Sequence, residues 1–361
     1  MEYYIYITNK CNMNCSYCSV MMNSKKSNLP ESIDYSLDDL ESFIDNTQSN
    51  HIDEDAIIYF FGGEPTLDYK KISEIINIFK VKKGYKVKFV LHTNGILLGA
   101  IPYNIISNID IIFLSLNYER VLVNNRFSPY FYNTVNAITD IKSKFKIITI
   151  GRFTISSKTN LYLEATMSSL FFDYIYWQLD NQKIIDNIEE YKKDYMKEVK
   201  LLLEHWIEFI EKGILLRYIP FLSITKNTLN SKAISVPTHY YCGYGDDIIY
   251  IQTDGSCFGC CDNIDEGSHF IGSIYNGIQF KNMDITEHCR ACRYIKICGG
   301  RCGRMHEDFD LNRINSFCEM NIFLFELLQK EQTRIKKAIQ NYPELKNAFN
   351  DINIEYTEQI P

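Results

Sequence analysis

The sequence predicts an α/β fold: a partial (β/α)6 TIM-like barrel followed by a small Cys-rich domain built from a β-hairpin and helices. Two observations carry the prediction. Six short β-rich apolar runs alternate with amphipathic helical stretches, the pattern of a parallel sheet covered by helices. The twelve cysteines follow a different rule: three lie between Cys11 and Cys18, none until Cys242, and nine from there to Cys318.

Taken in order, the strand candidates are Tyr3–Thr8, Ala56–Phe61, Lys86–His92, Asp110–Leu116, Lys146–Ile155 and Asp173–Leu179. Helical periodicity falls between them at Leu37–Asp45 (with Ser36 as N-cap), Tyr69–Lys80, Tyr130–Lys144 and Leu161–Leu170, and a long helix is expected over Ile188–Lys212. Six βα units make an incomplete barrel, whose working face lies at the C-terminal strand ends. Thr225–Pro237, rich in Asn, Ser and Lys, reads as a linker. Asp246–Gln252 and the turn Thr253-Asp254-Gly255 read as a β-hairpin, and Met320–Ile339 as a helix. The expected organisation is a barrel over 1–224, a linker over 225–238, a cysteine domain over 239–320 and a C-terminal helix and tail over 321–361.

The chain of 361 residues is long enough for one large or two medium cores. Its 38 basic and 45 acidic residues give a net charge of −7, which argues against nucleic acid as a partner. No apolar run approaches the ~20 residues of a membrane span, and Met1-Glu2-Tyr3-Tyr4 lacks the features of a signal peptide. A cytoplasmic protein is expected. In that reducing compartment the cysteines point to metal chemistry and away from a disulfide framework.

Cys11-x3-Cys15-x2-Cys18 follows the first strand. Three thiolates in one loop can hold three irons of a cubane cluster and leave the fourth iron open for a small molecule. The run alone also matches half a zinc site. The second strand ends in Gly62-Gly63-Glu64-Pro65-Thr66, where two glycines permit close backbone approach and a carboxylate can accept from an ammonium group.

Cys11, Cys15 and Cys18 followed by Gly62-Gly63-Glu64-Pro65 resemble the radical S-adenosylmethionine (SAM) superfamily. The resemblance implies that the open iron chelates SAM. One electron then cleaves SAM to methionine and a 5′-deoxyadenosyl radical that abstracts hydrogen from substrate. By the same resemblance Glu64 contacts the SAM ammonium, the Gly62–Gly63 backbone lines its path, and Tyr17 packs on adenine. Weaker matches are Asn94 in Thr93-Asn94-Gly95, Ser115 at the end of the fourth strand, and Arg152, which would fork onto the SAM carboxylate. Where many relatives continue the serine strand with Asp-Gly, this chain has Asn117-Tyr118.

Cys289-x2-Cys292-x5-Cys298-x3-Cys302, then Cys318, with Cys242 and Gly255-x4-Cys260 upstream, resemble the SPASM extension of radical SAM enzymes that modify peptides and proteins. A zinc ribbon is the rival reading of these cysteines. The resemblance implies two auxiliary [4Fe–4S] clusters, three in all with the SAM-binding one. Cys289, Cys292, Cys298 and Cys318 would hold the distal cluster, and Cys242, Cys260 and Cys302 the proximal one. Cys257 and Cys261 are left over. Either could close the proximal cluster as its fourth ligand, or that iron stays open to a substrate thiolate; a leftover thiol could also donate a hydrogen atom. Cys257 is grouped with the metal ligands, and Cys261, Asp262 and Asp180 form the candidate catalytic set.

Further stretches, Trp177-Gln178-Leu179, Ile219-Pro220-Phe221, Cys242-Gly243-Tyr244-Gly245, Cys298-Gly299-Gly300-Arg301-Cys302 and Glu358-Gln359-Ile360-Pro361, are similar to peptide-modifying radical SAM/SPASM enzymes of anaerobes. The resemblance implies a peptide or protein substrate that is cross-linked, oxidised or epimerised, and an electron donor such as flavodoxin or ferredoxin. With the chain starting at its first strand, a separate leader-binding protein is expected if the substrate carries a leader. The rival readings are sulfatase-type formylglycine formation, small-molecule dehydrogenation, and an iron–sulfur electron carrier without catalysis.

Overall fold

The computed structural model describes residues 1–361 except 16–17, 19–27, 52–53, 117–121, 124–125, 181–186, 230–234, 244–246, 262–268, 281–283, 309–310 and 351–361. The chain divides into two compact units. The first comprises Met1–Ser115, Phe127–Thr149 and Gly243–Met283, and the second Leu116–Arg126, Ile150–Cys242 and Asp284–Pro361.

The first unit is built on parallel strands β1 (Glu2–Thr8), β2 (Ala56–Gly62), β3 (Val87–Thr93) and β4 (Ile111–Leu116), paired in that order. Each begins and ends within two residues of its expected bounds. Helices α1 (Leu37–Gln48), α2 (Tyr69–Phe79) and α3 (Pro129–Lys144) belong to the same unit. The predicted Ser36 cap is present: its hydroxyl accepts the Asp38 N–H at 3.1 Å. Alternation along β1 sorts its side chains. Tyr3 reaches α1, bonding Thr47 at 2.9 Å and Gln48 at 3.3 Å. Tyr4 and Tyr6 point the other way into an aromatic inner face, where Tyr4 stacks on Tyr59 with ring centroids 4.0 Å apart.

The predicted hairpin forms from β7 (Ile248–Ile251) and β8 (Ser256–Phe258), after β5 (Ile148–Ile155) and β6 (Tyr174–Leu179) in chain order. Its turn uses Gly255 at φ +84°, and Asp254 accepts the Ser256 N–H at 2.9 Å. β7 lies parallel to β1, pairing Glu2 with Ile248 and Ile5 with Ile251, so the hairpin extends the barrel sheet. Tyr250 therefore stacks on Tyr4, with centroids 4.5 Å apart. β9 (Phe270–Ser273) and β10 (Gly277–Ile278) continue the edge antiparallel; the sequence reading had not placed them.

In the second unit β5 and β6 run parallel, with Arg152 opposite Tyr176. α4 (Leu161–Ser168), α5 (Ile188–Ile210), α6 (Ile219–Leu229) and α7 (Leu311–Asn341) surround a core containing Trp177, Trp206, Phe221 and Phe317. The stretch taken as a linker starts inside α6, because Ile219, Phe221, Leu222 and Ile224 are buried and hold the turn through Leu229. α7 starts nine residues earlier than expected, since Ile314 and Phe317 prolong its apolar face. Among the described residues no helix is long and apolar enough to cross a membrane.

Candidate functional site

In the first unit the site begins at the C-terminal end of β2. Gly62 has φ +123°, and a Cβ there would stand 2.4 Å from the Thr8 carbonyl oxygen; a Cβ on Gly63 would stand 2.1 Å from that of Lys10. Only glycine allows this approach. Backbone bonds fix it: Gly63 N–H donates to Thr8 O and Glu64 N–H to Lys10 O, both at 2.8 Å. The cysteine loop thus departs directly from the backbone that presents Glu64.

Glu64 is 1 % exposed. Its Oε1 accepts from the Thr66 N–H at 3.1 Å, the Thr66 hydroxyl at 2.5 Å and the Thr93 hydroxyl at 2.7 Å, while Oε2 accepts the Asn94 N–H at 2.8 Å. Burial raises its pKa, and these donors only partly offset the rise. A buried carboxylate in this state gains from a cation placed against it. Asn94 also bonds the cysteine loop, its Nδ2 donating to Asn12 Oδ1 at 2.7 Å. The Tyr130 hydroxyl donates to the Asn94 carbonyl.

Within the loop, Cys18 N–H donates to Cys15 O at 3.2 Å, and Met13 N–H points at Cys11 Sγ at 3.4 Å. Cys18 packs against Tyr6 and Phe258. Amide donors at thiolate sulfur suit an iron–sulfur ligand. Among the described residues no three His, Cys, Asp or Glu side chains close on a single-ion site; a cubane, with one thiolate on each iron, has no need of one. Tyr17 lies outside the described residues, as do Asn117-Tyr118, Asp262 and Glu358–Pro361. Ser115 is half-buried near the end of β4.

The two leftover thiols differ. Cys257 on β8 is fully buried; its thiol points at the Gly255 carbonyl at 3.7 Å, and burial and then Asp254 push its pKa up. Cys261 is half-buried and, with Cys260, lies within electrostatic reach of Tyr250.

In the second unit Arg152 donates through Nη2 to Gln178 Oε1 across the β5–β6 pair. Asp180, a candidate catalytic acid, is buried (5 % exposed), and its N–H donates to Ile155 O at 3.0 Å. Cys289, Cys292, Cys298 and Cys318 are electrostatically coupled. Burial pushes Cys298 up to about 12; Arg301 opposes that rise, while Cys318, Cys289 and Cys292 add to it. Burial likewise raises Cys318. Four cysteines within electrostatic reach of one another supply the number and type of donors that a [4Fe–4S] cluster takes. Cys242 and Cys302 are half-buried in this unit. Asn12, Thr66 and Gln178 were missed as individual residues, although each lies in or beside a quoted motif.

The Radical SAM superfamily model matches residues 5–168. The cysteine-type anaerobic sulfatase-maturating enzyme of Clostridium perfringens is 24 % identical over 350 residues, covering 88 % of this chain and 92 % of that protein. An uncharacterized protein of Methanocaldococcus jannaschii is 24 % identical over 206 residues, 52 % of this chain and 67 % of that one. The solved structure of native anSMEcpe with bound AdoMet aligns with a TM-score of 0.70 at 19 % identity, covering 92 % of this chain and 99 % of that one. The same protein with bound AdoMet and the Cp18Cys peptide aligns at 0.69 and 18 %, with the same coverage. The likeness shows the fold: α/β, with six parallel strands as a partial barrel and a Cys-rich hairpin region.

Proposed function

We propose that this chain, which belongs to the radical SAM superfamily over residues 5–168, is an enzyme that cleaves SAM reductively and modifies a peptide or protein. The observation that carries the reading is the buried Glu64 carboxylate, gripped by Thr66, Thr93 and Asn94 where the Cys11–Cys18 loop departs. Cys11, Cys15 and Cys18 would hold a [4Fe–4S] cluster that, once loaded, supplies one-electron cleavage of SAM and hydrogen abstraction. Glu64 binds the SAM ammonium, and its three donor residues hold the carboxylate in place before the ligand arrives. Gly62 and Gly63 leave the approach free of side chains. Arg152, steadied by Gln178, binds the carboxylate, and Ser115 adds a hydroxyl.

Cys289, Cys292, Cys298 and Cys318 are proposed to hold a distal auxiliary cluster, and Cys242, Cys260 and Cys302 a proximal one. The burial of Cys257 and its bond to Gly255 favour a core role for that thiol. Cys261, half-buried near Cys260, is the better candidate for a fourth ligand or a hydrogen-atom donor. Asp180, with Asp262, is a candidate substrate acid. The reading takes a cytoplasmic enzyme with an external donor such as flavodoxin or ferredoxin, and a separate leader-binding protein where the substrate needs one.

A second reading, formylglycine formation on a Cys or Ser side chain, draws on the near full-length match to the Clostridium perfringens enzyme. Anaerobic incubation with SAM, reductant and a sulfatase-type peptide tests both. Release of 5′-deoxyadenosine supports the first reading, and a mass change on that peptide supports the second. A fully iron-loaded protein that releases none would leave the electron-carrier reading in place.

A further inference from the structure

Two polar groups beside the distal thiols have no part in the reading above. Arg301, between Cys298-Gly299-Gly300 and Cys302, is the one non-glycine residue with positive φ (+57°) among the described residues. A left-handed backbone is unfavourable for a residue with a Cβ, and glycine would fit there without strain. The guanidinium is held in place nonetheless. Its Cζ lies 4.8 Å from the centre of the Phe317 ring, next to Cys318. Its Nη1 is buried and has no hydrogen-bond partner among the described residues. A buried cationic N–H without an acceptor is costly unless an anion stands against it. Arg301 lies within electrostatic reach of Cys298 and Cys318.

The second group is His306. Its Nε2 lies 3.2 Å from Cys289 Sγ and 3.3 Å from the Gly300 carbonyl oxygen. A cysteine bound to iron carries no proton, so the imidazole N–H would be the donor in any hydrogen bond to that sulfur. Buried positive charge and N–H···S bonds both favour the reduced form of an iron–sulfur cluster, which carries one more negative charge.

We propose that Arg301, with His306 acting on Cys289, raises the reduction potential of the cluster held by Cys289, Cys292, Cys298 and Cys318. The inference rests on the cluster assignment proposed above. Both residues are argued to act through the ligands and are tuning residues.

The test is a redox titration, followed by electron paramagnetic resonance, of the full chain carrying Cys11→Ala, Cys15→Ala and Cys18→Ala, which removes the SAM-binding cluster. The distal wave is the one lost on adding Cys292→Ala. Arg301→Gly suits the backbone and deletes the charge; Arg301→Lys keeps the charge. The expected result is a shift of the distal midpoint to more negative potential in Arg301→Gly by at least a tenfold change in the reduced-to-oxidised ratio, 59 mV for one electron. Arg301→Lys should shift less than half as far, and His306→Ala in the same direction. An unchanged distal midpoint in Arg301→Gly at full iron content overturns the inference and leaves the cluster assignment standing. Absence of any wave that depends on Cys292 overturns both. Should Arg301→Gly fail to load iron, an unshifted wave in Arg301→Lys supports the charge requirement, and failure of both variants overturns it in favour of packing.

Discussion

The Asn94 side-chain amide donates to Asn12 Oδ1 at 2.7 Å, joining the end of β3 to the loop that carries Cys11, Cys15 and Cys18. The same residue gives its backbone N–H to Glu64 Oε2 at 2.8 Å. Asn94 therefore sets the position of the loop relative to the carboxylate. A neutral hydrogen bond contributes about 1 kcal/mol. Asn94→Ala keeps the backbone donor and loses both the loop bond and the Oδ1 acceptor of the Ile96 N–H, so SAM affinity should fall roughly five- to tenfold with a small drop in melting temperature. Isothermal titration of the iron-loaded protein reads this directly, and an unchanged affinity would show that the bond does not position the loop for SAM.

Glu64→Gln retains shape and removes charge. Hydrogen bonds to charged groups contribute about 1.5–3 kcal/mol, so SAM binding should weaken by roughly one to two orders of magnitude. The NH2 group of the new side chain cannot accept the Asn94 N–H that Oε2 accepts, so the ligand-free fold should also lose about 1–3 kcal/mol. A variant with unaltered SAM affinity would remove Glu64 from the binding site.

The glycine pair permits a paired test. Gly63→Ala places a Cβ 2.1 Å from the Lys10 carbonyl oxygen, whereas a Cβ on Gly84 meets nothing within 4 Å. The first substitution should abolish SAM cleavage while leaving iron bound at the C-terminal cysteines, and Gly84→Ala should be silent. Full cleavage activity in Gly63→Ala would mean that the β2–loop approach can relax.

Glu164 on α4 offers a pH signature remote from the cysteines. It is fully buried, its Oε1 accepts the Asn160 N–H at 3.1 Å, and Oε2 has no partner among the described residues. Burial pushes its pKa up from 4.5 to about 8. Between these values the unfolded chain ionises while the native carboxyl stays protonated. The native state is therefore favoured most below pH 4.5, loses stability as the pH rises, and levels off above about 8. Glu164→Gln should remove a few kcal/mol of that decline. Denaturant unfolding at pH 5, 7 and 9, as a difference between the two proteins, checks it; parallel curves would contradict the assignment.

Strand and helix positions were legible because short apolar runs and helical periodicity report burial: β1 is buried on both faces and reads as a continuous apolar run, while α1 buries one face. α6 was not legible. Pro220 and the polar residues after Ile224 hide a helix whose existence depends on tertiary burial of Phe221 and Leu222. The parallel addition of β7 to β1 was equally invisible, since short apolar runs do not specify a distant partner. In the site, Glu64 and the loop cysteines were legible from spacing, whereas Thr66, Thr93 and Asn12 gain meaning only once the carboxylate is located. Whether Asp180 is buried or solvated, and which way the Cys257 thiol points, are set by packing and leave no sequence mark.

The central claim is that Cys11, Cys15, Cys18 and Glu64 form one SAM-cleaving site. It is tested most directly by anaerobic incubation of the iron-loaded protein with SAM and dithionite, with 5′-deoxyadenosine quantified against Cys15→Ala and Glu64→Gln. The account predicts 5′-deoxyadenosine and methionine in equal amounts from wild type, none from Cys15→Ala, and a strongly reduced yield from Glu64→Gln at limiting SAM. A fully loaded wild-type protein that forms no 5′-deoxyadenosine, or a Cys15→Ala protein that forms as much, would contradict it.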